Sequence, residues 1–262
     1  MADQLLKNVP TTQKWTAVVG QVLDGAGPLS EDTPRVAAAI LEAVSAALMA
    51  AQNDAGLRHT FYLLTQIALA ARESDWRERL ARVGISIDDR ASVYELTAGL
   101  HVAVDDYVER HGRPTDASEM AQQAAGEALA SLTAASTNAL FGTGGEQLRA
   151  AVRRLSTDDG FAKLGQRFFG GFVARFLNFY LSRITADKVG STRLGLASEV
   201  TRFNDALSTH CEESALVVHD FCRDWYSKTE YVEQINPGNT SRFMAHAVEK
   251  LALELAKQRA GA

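Results

Sequence analysis

Residues 160–184 read GFAKLGQRFFGGFVARFLNFYLSRI, and this stretch decides the fold. It holds six of the chain's eleven phenylalanines. Stepped at about 100° per residue, Phe161, Leu164, Phe168, Phe172, Phe176 and Phe179 fall within an arc of roughly 120°. Phe169, Val173, Leu177, Tyr180 and Ile184 widen the apolar arc to well over half the circumference. A stripe that wide belongs to a helix with neighbours on several sides. The spacing therefore predicts a buried central helix.

Two features break its pattern. Gly170-Gly171 sits in mid-helix, where each glycine costs about 1 kcal/mol relative to alanine. The pair marks a kink, a close helix crossing or a break. Arg175 and Arg183 point into the phenylalanine arc, and Arg167 sits on its edge. A guanidinium keeps its proton, so burying one requires a partner. One reading is an internal ion pair with Asp105, Asp106 or a glutamate of a packed helix. The other is a preorganised pocket for phosphate or carboxylate.

Outward from this stretch, apolar residues recur at three and four, the helix signal, and no period-two pattern persists. Trp15, Val18, Val19 and Val22 mark a first helix. Thr33 is expected to cap a second, with Pro34 in its first turn. Residues 57–72 are apolar nearly all round. Asp75 and Glu78 read as a capping box for a short helix that stops at Gly84. Val93 to Tyr107 make another helix, and residues 111–114, His-Gly-Arg-Pro, are a stop and a turn. Asp116 and Glu119 open an alanine-rich helix expected to end near Phe141, before a glycine-rich loop at 142–145. A single long helix is expected from about Leu194 to Ser227, then a turn at 236–239 and a last amphipathic helix. The fold class read from this is all-α, with about nine or ten helices around the Phe-rich central one. The chain is one domain, or two sub-bundles, 1–112 and 113–262.

Composition narrows the function. A net charge of −5 and a pI near 5.7 give no global attraction to nucleic acid. Charge is uneven, however. Residues 149–202 hold ten Lys or Arg and four acids, a net of +6, which leaves −11 for the rest. That segment faces something acidic, either its own protein or a partner. Within it the candidate anion- or partner-binding residues are Arg167, Arg175, Arg183, Lys188 and Arg193. Cys211 and Cys222 are too few for a disulfide framework and read as core thiols on one helix, the pattern of a reducing compartment. The first ten residues lack the apolar run of a secretory leader. The longest charge-free run, 128–145, is too polar to span a bilayer. A cytoplasmic, bacterial-type setting is expected.

Signatures of catalysis are absent. His210, Cys211, His219, Asp220 and Cys222 resemble a metal cluster on paper, but their angles diverge on one helix, so no metal site is expected. There is no His-Glu-x-x-His, Gly-x-Ser-x-Gly or phosphate loop, and no cofactor is implied. The leading expectation is a non-enzymatic helical interaction protein, an adaptor or subunit of a larger cytosolic assembly whose partner is another protein. One alternative is an anionic small-molecule binder or enzyme with its site at Arg175 and Arg183. Another is nucleic-acid binding through 149–202. Homo-oligomerisation is compatible with the alanine- and phenylalanine-rich helices.

Overall fold

The computed structural model describes residues 13–24, 27–134, 145–188 and 196–257. Among them are eleven α-helices, one short 3-10 turn and no strand. In order the helices are α1 (Gln13–Asp24), α2 (Thr33–Ala51), α3 (Ala55–Ala70), α4 (Trp76–Arg82), α5 (Val93–His111) and α6 (Asp116–Ala134). They continue with α7 (Gly145–Arg154), α8 (Asp158–Lys188), α9 (Ala197–Ser214), α10 (Leu216–Val232) and α11 (Pro237–Lys257).

The central helix is α8, and it packs chiefly against α6, α9 and α10. Phe161, Phe168, Phe169, Phe172 and Phe176 are wholly buried, whereas Phe179 is half-buried. Phe61 of α3 gathers these rings. Its centroid lies 5.0 Å from Phe169, 5.4 Å from Phe168 and 5.6 Å from Phe243 of α11. One continuous buried cluster runs from Trp15 in α1 to Leu255 in α11.

Gly170-Gly171 does not break α8, which is continuous over 31 residues. It is a close crossing. A Cβ at Gly170 would stand 3.0 Å from Glu212 Cα and 3.2 Å from the Cys211 carbonyl oxygen. A Cβ at Gly165 would stand 2.3 Å from Cys222 Sγ. The residues without side chains thus let α8 lie against the backbone of α9 and the first turns of α10.

Three local expectations are corrected. The expected helix from Leu194 to Ser227 is two, interrupted at Ala215, whose amide donates back to Cys211 O (3.0 Å). Cys211 and Cys222 therefore sit on successive helices. Asp75 forms no capping box, because Arg79 Nε takes its Oδ1 at 2.8 Å. A capping box is found instead at Ser92 and Glu95, opening α5. Thr33 does not cap α2, since its hydroxyl donates to Ser30 O at 2.8 Å. Of the loop expected at 142–145, Gly145 is the first residue of α7, while 142–144 and the expected end of α6 near Phe141 lie outside the described residues.

By length and composition, one described helical stretch, Leu29–Ala51, could cross a bilayer. Half of its most apolar window is buried within the protein, as Val36, Ile40, Val44 and Leu48 pack into the core.

Candidate anion-binding clefts around Arg72

Two of the arginines singled out on α8, Arg175 and Arg167, are each met by an acid. Arg175 Nη2 is 2.5 Å from Glu127 of α6, and its Nη1 donates to Gly171 O (3.0 Å). Arg167 lies 3.4 Å from Glu212 of α9. The side chains of Arg183 and Lys188, and Arg193 entirely, lie outside the described residues. Of the two described, neither Arg167 nor Arg175 lines the clefts described below.

The structure assembles another set, where the end of α3, the turn after α7 and the end of α10 meet through Arg72. The chain leaves α3 at Ala71 and places Arg72 beyond the helix terminus, its side chain 31% exposed. The Arg72 guanidinium pairs with Glu230 of α10 and donates to the Ser156 carbonyl oxygen. It also stands 3.4 Å from the Tyr226 hydroxyl and 5.6 Å from the centre of that ring. One guanidinium thus ties three segments with donors in a fixed plane.

The turn from α7 to α8 brings two further arginines to this place. Ser156 N and Oγ both donate to Arg153 O (3.1 and 2.7 Å). Thr157 Oγ1 donates to Arg154 O and accepts from Gly160 N, each at 3.0 Å. A Cβ at Gly160 would lie 2.0 Å from Arg154 O, so only glycine permits this turn. Arg149 closes the arrangement from behind. Its Nε donates to Ala71 O at 3.3 Å, a cation at the carbonyl end of α3.

Two clefts open on either side of Arg72. The first, about 730 Å³, is lined by Arg72, Arg153, Arg154, Ser156, Thr157 and Asp158, with Ala150. The second, about 490 Å³, has Arg72, Arg79, Arg82, Glu73, Glu230 and Gln234 among its walls. Together they present five arginines and three acids, in a chain that is acidic overall. Arg79 holds the Asp75 carboxyl below its usual range through a direct hydrogen bond. Burial pushes the Tyr226 phenol well up, with Arg72 opposing.

Chemically, these walls offer fork-shaped donors for carboxylate or phosphate. The hydroxyls of Ser156 and Thr157 already donate to backbone carbonyls. The chemistry of the lining is that of guanidinium, carboxylate, amide and hydroxyl groups.

Elsewhere, no three His, Cys, Asp or Glu side chains converge among the described residues as a metal set would. His219 faces Asp159 (3.6 Å) and Asp220 (3.2 Å), while Cys222 is buried against Gly165. A smaller hollow of about 180 Å³ includes Arg58, His59, Tyr62 and Tyr107. There His59 stacks on Tyr107 at 3.8 Å, and Tyr107 on His111 at 4.2 Å.

The sequence reading missed Arg72, Arg79 and Arg82. Its one usable signal was the basic excess beginning at Arg149, which includes Arg153 and Arg154. Their convergence with Arg72 depends on α3 and α7 ending side by side. No family model matches the chain, and comparison with curated proteins and with solved structures finds no significant match.

Proposed function

We propose that the protein is a non-enzymatic helical interaction protein, a subunit or adaptor of a cytosolic assembly. It holds an anionic group of its partner in the arginine-lined clefts around Arg72. The observation that carries this reading is the convergence of Arg72, Arg79, Arg82, Arg153 and Arg154 on two joined clefts. Arg72 is fixed by Glu230 and Ser156, so the site is built before a ligand arrives.

The test is co-purification from the native host at native expression level. Wild type is expected to emerge with a companion protein. Arg153→Glu/Arg154→Glu is expected to lose it, and Arg167→Glu, on the far pair with Glu212, to keep it. A wild-type chain that emerges alone and monomeric overturns the reading. Binding to single- or double-stranded nucleic acid that weakens steeply with salt would replace it with the nucleic-acid alternative.

A further inference from the structure

We infer that the hollow between α3, α5 and the start of α11 binds a short-chain carboxylate that also carries a hydroxyl or carbonyl group. Arg58, His59 and Tyr62 of α3 and Tyr107 of α5 line it, and it measures about 180 Å³. Sites for drug-sized ligands begin at about 300 Å³, so this one suits a molecule of a few non-hydrogen atoms. It shares no lining residue with the clefts at Arg72, and its occupancy does not depend on theirs.

The charge of the hollow is one cation without a counter-ion. Arg58 Nε donates to Gln52 O (2.9 Å) and its Nη2 to Asn53 Oδ1 (2.5 Å). Among the described residues it meets no acid at ion-pair distance. Neutral acceptors thus hold the guanidinium in place without cancelling its charge, and Nη1 is left to bond an anion. No acid lines the hollow. Asp54, just before α3, is committed elsewhere: its two oxygens accept from Leu57 N (2.8 Å) and Thr115 Oγ1 (2.7 Å). Ala55 and Pro237, the first residues of α3 and α11, also form the wall, which sets the positive ends of two helix dipoles beside it. A single fixed positive charge matches a monoanion.

Three further side chains ask for a second polar group on the ligand. Among the described residues, the ring nitrogens of His59 and the hydroxyls of Tyr62 and Tyr107 have no hydrogen-bond partner. Burial lowers the pKa of His59 to about 4, so at neutral pH its ring has one donor and one acceptor nitrogen. The ring is also held in place. It lies parallel to Tyr107 at 3.8 Å, and Tyr107 stacks in turn on His111 at 4.2 Å. Groups fixed in advance lose little freedom on binding. A hydroxyl or carbonyl next to the carboxylate can use them, whereas a bare alkyl chain leaves them unpaired.

The experiment is isothermal titration calorimetry of the full chain with lactate, propionate, lactamide and inorganic phosphate. Wild type is expected to bind lactate at least tenfold more tightly than the uncharged lactamide and about fivefold more tightly than propionate. Arg58→Gln should weaken lactate at least tenfold. Because that change also loosens the turn at Gln52 and Asn53, His59→Phe is the second variant; it keeps a ring on Tyr107 and should weaken lactate about fivefold while leaving propionate unchanged. Arg153→Glu/Arg154→Glu should bind lactate as wild type does. Circular dichroism of each variant should match wild type. No heat with lactate, equal affinity for lactate and lactamide, or loss of lactate in the Arg153/Arg154 variant alone overturns the inference. Equal affinity for lactate and propionate overturns the second polar group, and tighter binding of phosphate overturns the carboxylate.

Discussion

At the residue scale, the adjacent glycines of α8 have opposite roles. A methyl at Gly170 meets backbone of α9, whereas at Gly171 it meets Arg175 Nη1 at 3.3 Å and Ala124 Cβ at 3.6 Å. Gly170→Ala should destabilise by about 1–3 kcal/mol, because overpacking against backbone outweighs the gain in helix propensity. Gly171→Ala should be neutral or stabilising by up to about 1 kcal/mol. Urea denaturation of the two variants checks this, and equal effects would refute the close crossing. Histidine behaviour is also local. Burial, with His111 and Arg110 nearby, lowers the pKa of His59 from the ordinary 6.5 to about 4. The unfolded chain then binds a proton that the folded one refuses. The contribution of His59 is complete above pH 6.5 and is lost as pH falls toward 4. His59→Phe, which keeps a ring on Tyr107, should flatten that part of the stability–pH curve; an unchanged slope would show that other groups set it.

At the scale of the element, caps and breaks are decided by competition for the same atoms. Asp75 and Glu78 have the spacing of a capping box, but Arg79 takes the Asp75 carboxylate. Ser92 has no such competitor and caps α5 with Glu95. Ser92→Ala should therefore cost about 1 kcal/mol. Asp75→Ala, which removes only exposed ion pairs, should cost clearly less than loss of the Ser92 cap. Thermal denaturation of both variants distinguishes them, and the reverse order would mean that Asp75 is the working cap. The interruption at Ala215 was not legible, because nothing in the sequence around it is a breaker: no glycine or proline lies between Ala197 and Val232. The interruption lies beside Gly170 of α8, where a Cβ would meet Glu212 Cα and Ala215 Cβ. It leaves Ser214 Oγ and His210 Nε2 buried without a hydrogen bond, and burial lowers the His210 pKa.

At the scale of the whole molecule, one buried cluster joins α1 to α11, with Phe61 and the α8 phenylalanines at its centre. Trp15, Trp76 and Trp225 report from α1, α4 and α10, and all pack in or against that cluster. Equilibrium unfolding followed by tryptophan fluorescence and by far-ultraviolet circular dichroism should give coincident transitions. Separate midpoints would reveal two sub-bundles of independent stability. The all-α class, the buried helix at 160–184 and most helix positions were determined by sequence alone. Their signals are local: apolar spacing near 3.6, alanine content and punctuation by glycine and proline. The partners of the charges were not. Arg175 found Glu127, 48 residues away, and Arg72 found Glu230 across 158. Such pairings depend on which helix ends meet, and no local pattern encodes that. The clefts at Arg72 arise the same way, because arginines from α4, α7 and the end of α3 converge only once α4 and α7 pack against α3.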